Sequence, residues 1–185
     1  MAFSSISFLF YFLPLFFALY WLVPARWKNA ILAAGSLFFY AWGDLRGVPL
    51  LALSILVTYA LGRAMPPDVS VRRRRCLLIL GLIFHLAVLV VFKYAEFFFG
   101  SFLPLPELAL PLGISFYTFH AMSYLIDVYR GSAPPQKSLL QLSVYLAMFP
   151  KLVMGPIAPY HELSVALSRR ELTVKDTAAG CFRFA

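Results

Sequence analysis

A chain of 185 residues with 62% apolar side chains, 17% aromatic ones and only 13% charged ones has the composition of an integral membrane protein. Its mean hydropathy of +0.81 excludes an ordinary water-soluble domain. The formal net charge of +8 is explained by basic residues at the ends of apolar stretches, so it calls for no nucleic-acid partner.

In chain order, uncharged stretches cover 1–25, 29–43, 47–62, 76–92 and 108–126. A helix needs roughly 20 residues to cross a bilayer core. These stretches therefore predict about five transmembrane helices within 1–130, the second of them short. The first has no basic lead-in and is too long for a signal-peptide core, which makes it a retained anchor. The aromatic cluster Phe38, Phe39, Tyr40 and Trp42 reads as an interfacial belt rather than an acyl-binding surface.

Lys and Arg in short loops resist translocation, and here alternate loops are basic. Arg26 and Lys28 hold the first loop, and Arg63 with Arg72, Arg73, Arg74 and Arg75 the third. This places the N-terminus outside and the four consecutive arginines in the cytoplasm, where they act as a topology determinant touching anionic lipid. Docking of an acidic carrier protein on them is the less favoured reading. Lys93 and Glu96 have the spacing of a local ion pair at the outer face.

The next stretch, PLGISFYTFHAMSYLIDVYRG at 111–131, keeps polar groups inside a segment of membrane length. At helical spacing Tyr117, His120, Tyr124 and Asp127 share one stripe, which a lipid-facing helix would not carry. His120 reads mainly as a hydrogen-bonded interior residue and secondarily as part of a substrate path. Asp127 and Arg130 suit an i,i+3 ion pair at the helix end. Pro134 and Pro135 then break the helix, and the apolar run 139–149 is too short to span.

Three prolines and a glycine within 150–159 predict broken helix, tolerated at membrane depth only inside protein or along a wet cavity. Residues 131–160 thus read as a re-entrant or funnel segment, with an interfacial helix plus surface loop as the plainer alternative. Lys151 either attracts a phosphate-bearing donor or snorkels to the interface. His161 reads as solvated, within a stretch 161–185 that forms a cytoplasmic loop and begins a further helix. Cys76 and Cys181 read as packing residues. The cysteine and histidine spacings support neither a disulfide framework nor a metal site, and no nucleophile elbow or phosphate loop occurs.

The strings PLGISFYTFHAMSYLIDVYRG, FPKLVMGPI and GCFRF, in this order, resemble the membrane-bound O-acyltransferase family. MAFSSISFLFYFLPLFFALYWLVP, SLFFYAWGD and VFKYAEFF are similar to the branch with bacterial alginate O-acetyltransferases and the teichoic-acid D-alanyl transfer protein. The wording of GISFYTF and IDVYRG fits the alginate type best. The resemblance implies an all-α polytopic transmembrane bundle in a bacterial inner membrane, one membrane domain over 1–185. It implies transfer of an acyl group from a cytoplasmic donor, acetyl-CoA or an acyl carrier, to a hydroxyl of an exported polysaccharide. Periplasmic acetylation proteins are the implied partners, and no bound cofactor is implied. Tyr117, His120, Tyr124, Lys151, Gly155 and Pro156 would line its funnel. The family's catalytic His, in a Trp-His-Gly setting, is not among these 185 residues and is expected beyond Ala185. The chain therefore reads as the N-terminal portion of an acyltransferase, inactive alone, with the Tyr117 to Asp127 stripe open to lipid unless another subunit covers it. A D-alanyl-transfer relative, a non-catalytic scaffold subunit and a small transporter are the remaining readings.

Overall fold

The computed structural model describes residues 6–94, 110–152 and 159–163. Among these residues all regular structure is helical, with no strand. A π-helical turn at Phe8–Phe12 leads into α1 (Leu13–Leu22), and a 3-10 turn at Ala25–Trp27 leads into α2 (Lys28–Gly43). Then follow α3 (Val48–Arg63), α4 (Val71–Leu89) with its π-helical extension Val90–Tyr94, and α5 (Ile114–Arg130). The short α6 (Leu139–Ala147) and α7 (Phe149–Leu152) complete the set.

Local chemistry sets the boundaries. Proline occupies the first turn of α1 and of α3, where a missing N–H costs nothing. Gly113 and Gly131, at φ of 67° and 79°, bracket α5 in left-handed conformations that other residues rarely adopt. At the C-terminal end Ser132 N donates to Asp127 O at 3.0 Å and Gly131 N to Val128 O at 3.2 Å. This paired pattern is a Schellman close. Helix α5 thus begins later than the apolar stretch suggests and runs on through Asp127 to Arg130.

Helix α5 is the centre of the molecule, packing on α3, α4 and α6, while α2 packs on α6 and α1 on α2. Leu51, Ile55, Ala121, Leu125, Leu142 and Tyr145 fill the core between them. A second cluster joins Phe8, Phe16, Phe39 and Phe149, with the Phe16 and Phe149 rings 5.1 Å apart edge to face. The outward face of α4 presents Ile79, Leu80, Ile83 and Leu86, an apolar exterior suited to lipid. Val71–Tyr94, at 24 residues, is the one described helix long and apolar enough to cross a bilayer; Phe10–Leu22 and Val48–Arg63 are shorter apolar helices.

Three expectations need correction. The Tyr117 to Asp127 stripe is not open to lipid: Tyr117 is 1% exposed and Tyr124 0%, because α3, α4 and α6 of this same chain cover it. The aromatic cluster divides, with Phe39 and Tyr40 buried while Phe38 and Trp42 face outward, as opposite sides of one helix must. Cys76 is exposed rather than packed, and Cys181 lies outside the described residues.

Candidate functional site

The polar stripe of α5 has two halves with different bonding. In the N-terminal half the His120 ring places Nδ1 2.8 Å from Phe116 O. A carbonyl accepts, so Nδ1 carries the proton and Nε2 keeps a lone pair. That Nε2 is buried without a hydrogen-bond partner among the described residues, as are Tyr117 Oη, Thr118 Oγ1 and, from α2, Tyr40 Oη. The Tyr145 ring stands edge-on to His120 at 5.4 Å, and Lys151 Nζ approaches Tyr145 at 6.0 Å from the ring centre. Lys151 Nζ is likewise buried without an acceptor. The His120 imidazole and the Lys151 amine thus both lie against one tyrosine ring.

The C-terminal half is fully bonded. Tyr124 Oη accepts from Gln136 N at 3.0 Å, and Gln136 Nε2 donates to Tyr160 Oη at 3.0 Å. Tyr160 stands edge-on to Tyr124 at 4.7 Å and to Tyr145 at 5.0 Å. Tyr124 lies against Gly62 of α3 so closely that a Cβ there would run into its hydroxyl. Asp127 Oδ2 accepts from His161 N at 3.2 Å and faces His161 Nδ1 at 3.3 Å. The Arg130 partner expected for Asp127 is therefore replaced by His161. Asp127 points inward at 8% exposure while Arg130 faces out, and the chain returning at 159–163 brings the imidazole to the carboxylate. His161 is accordingly anchored rather than simply solvated. Beside the pair lies an open cleft of about 440 Å³ between α5 and residues 159–161, lined by Phe119, Met122, Ile126 and Arg130 among others.

Three anchors went unnoticed in the sequence. Arg74 leaves the arginine cluster to donate to Val128 O at 3.1 Å and Tyr129 O at 2.6 Å, closing the C-terminus of α5. Arg72, Arg73 and Arg75 remain exposed. At the opposite end Asp44 Oδ1 accepts from Gly47 N at 2.9 Å and Oδ2 from Leu112 N at 3.0 Å, tying the α2–α3 turn to the approach to α5. Buried His85 bridges helices, with Nε2 3.1 Å from Thr58 Oγ1 of α3 and Nδ1 2.8 Å from Gly81 O. Asp44 bonds the backbone three residues on at the head of α3, and a short acidic side chain just before a helix is the one local signal that marks it. Lys93 Nζ donates to Ser115 Oγ at 3.2 Å, whereas Glu96 lies outside the described residues, as do Gly155 and Pro156. Among the described residues no three His, Cys, Asp or Glu side chains gather as a metal-binding set.

An all-helical fold with one helix of bilayer-crossing length and a buried seam of polar side chains is the class that the described residues define. No family model matches the chain, and no solved structure matches it. Relatives do. Over its whole length the chain is 38% identical to a probable alginate O-acetylase of Azotobacter vinelandii and 39% identical to one of Pseudomonas aeruginosa. Over 98% of its length it is 31% identical to a peptidoglycan O-acetyltransferase of Helicobacter pylori. The chain spans 39%, 38% and 42% of the length of these three relatives. The chain is thus similar, over all or nearly all of its length, to part of each of these O-acetylases.

Proposed function

We propose that the chain serves a membrane O-acetyltransferase that places acetyl groups on hydroxyls of an exported polysaccharide. The carrying observation is identity of 36–39% along 100% of the chain with five alginate O-acetylases. Alginate is the acceptor we favour over peptidoglycan, since the peptidoglycan relative stands at 31%. Acetyl-CoA or an acetylated carrier on the cytoplasmic side is the proposed donor. The proposed topology is multi-pass in a bacterial inner membrane, N-terminus outside, with α1 to α5 as spans.

The segment after α5 is proposed to be re-entrant. Tyr59 Oη holds Lys137 O at 2.9 Å near one end of α5, and α6 leads to Leu152, whose carbonyl sits against Gly113 at the other. Residues 160 and 161 are again beside Tyr124 and Asp127. A path that enters and returns on one side would leave Lys151 and His120 deep in the protein, along a funnel that also includes Tyr117 and Tyr124. The polar atoms of Tyr117, His120 and Lys151, unpaired among the described residues, suit such a role, since buried polar groups otherwise find partners.

The test is deletion of the gene in its host, followed by proton NMR of acetyl content in exported polysaccharide and in peptidoglycan. Loss of acetyl from the polysaccharide, restored by the gene, is expected. Unchanged acetylation of both polymers would overturn the reading.

A further inference from the structure

The cleft between α5 and residues 159–161 meets the buried polar seam at Asp127 and otherwise lies outside it. Its α5 wall is Phe119, Met122, Ser123, Ile126, Asp127 and Arg130, of which Phe119, Met122, Ile126 and Arg130 follow one helix face at i, i+3, i+7 and i+11. That face is opposite the one bearing Ala121, Leu125 and Val128, which α3 and α4 cover. The wall grades in polarity along its length. Phe119, 42% exposed, lies near the helix middle, and the apolar surface runs through Met122 and Ile126 to the exposed Arg130 at the end. The eleven-residue rise is about 16 Å, close to half of a bilayer core of roughly 30 Å.

Charge is arranged to match. Arg130 makes no hydrogen bond or ion pair among the described residues, so its guanidinium fork is available. Asp127, the carboxylate in the lining, is engaged by the His161 amide and ring, which limits its repulsion of an incoming anion. The bonds from Arg74 to Val128 O and Tyr129 O fix the start of α4 at this same end of α5, so exposed Arg72, Arg73 and Arg75 raise the local positive potential. An apolar channel of one leaflet's depth ending on a free guanidinium is complementary to a hydrocarbon chain carrying a phosphate.

We propose that this cleft is a binding site for an anionic phospholipid, its acyl chain along Phe119, Met122 and Ile126 and its phosphate on Arg130. The same phosphate chemistry could be met by a soluble phosphate, and the test separates the two. The protein expressed from its own gene is placed in nanodiscs of phosphatidylcholine, with or without phosphatidylglycerol at 20 mole percent, and its thermal midpoint is read by tryptophan fluorescence. Phosphatidylglycerol is expected to raise the midpoint by several degrees, as binding to the folded state requires.

Arg130→Gln and the groove-filling Ile126→Trp should each lose that rise, Arg130→Lys should keep part of it, and Arg73→Gln should keep nearly all. If Arg73→Gln and Arg130→Gln lose it equally, general surface charge is responsible and the site is refuted. If inorganic phosphate in phosphatidylcholine discs reproduces the rise, the lipid assignment falls. A rise unaffected by Ile126→Trp removes the acyl channel and overturns the proposal.

Discussion

The two halves of α5 carry the same kinds of residue and solve opposite problems. Around Tyr124 and Asp127 every polar side chain of the stripe has been given a partner, drawn from α6's lead-in and residues 160–161. Around Tyr117 and His120 the polar atoms are equally buried and have no partner among the described residues. Each unsatisfied buried group costs about 1–3 kcal/mol, so a helix that pays this repeatedly at one end is not merely packing. Bonding at the C-terminal half fixes the helix, and under the proposed function the open valence at the N-terminal half is what a passing substrate would use.

The largest expected effect comes from breaking the unpartnered half. Lys151→Met keeps about the length of the side chain and removes an amine that has no acceptor among the described residues. Under the proposed function it should lower kcat/KM for acetyl transfer about 100-fold, the scale of losing one preorganised donor. The thermal midpoint should hold or rise, since an unpaired buried charge is gone. His120→Gln should show the same division between activity and stability. A fall in both activity and midpoint would reassign these residues to packing.

The bonded half should answer with stability. Gly62 lies in the last turn of α3, one residue before its end. Here Tyr124 occupies the space that a side chain would need. Gly62→Val should therefore destabilise by about 1–3 kcal/mol through overpacking, read as a lower thermal midpoint. A neutral or stabilising result would mean that Tyr124 swings away at little cost and that the clasp is soft.

Next in size is Arg74. Its guanidinium reaches two carbonyls of α5 at once and lies 5.7 Å over the Tyr129 ring. Arg74→Ala should cost about 1.5 kcal/mol, the range for a charged donor on buried carbonyls, and Arg74→Lys should recover only part because a point charge cannot fork. Equal loss in Arg73→Ala would show that charge count rather than this contact matters.

How much of this was readable beforehand depends on the range of the interactions. The helical class, the polar stripe on Tyr117, His120, Tyr124 and Asp127, and a helix end before Pro134 and Pro135 are local patterns of period and turn chemistry, and they were legible. That Tyr124 sits on Gly62, or that Arg74 rather than its three neighbours reaches α5, is decided by packing between elements 54 to 62 residues apart, which periodicity does not encode. Asp127 and Arg130 show the same limit. Their i,i+3 spacing permits a pair, yet burial of one and exposure of the other sends the carboxylate to His161, 34 residues on.

The smallest effect is also the sharpest test of what the clasp does. The His161 side chain is 45% exposed and Asp127's 12%, so solvent screens the pair, and its coupling should be only about 0.5–1 kcal/mol. Asp127→Asn keeps an oxygen for the His161 amide while removing the charge, and His161→Asn removes the ring while keeping the amide. A double-mutant cycle on these two isolates the ring-to-carboxylate term, which should shrink as salt is raised. Hydrogen exchange at amides 160–163 should quicken in Asp127→Asn if that term holds the returning chain. If exchange is unchanged and the coupling is zero at low salt, the amide-to-carboxylate bond and the Tyr124–Tyr160–Tyr145 stack are sufficient. Asp127 would then act on the segment as a hydrogen-bond acceptor, not as a charge.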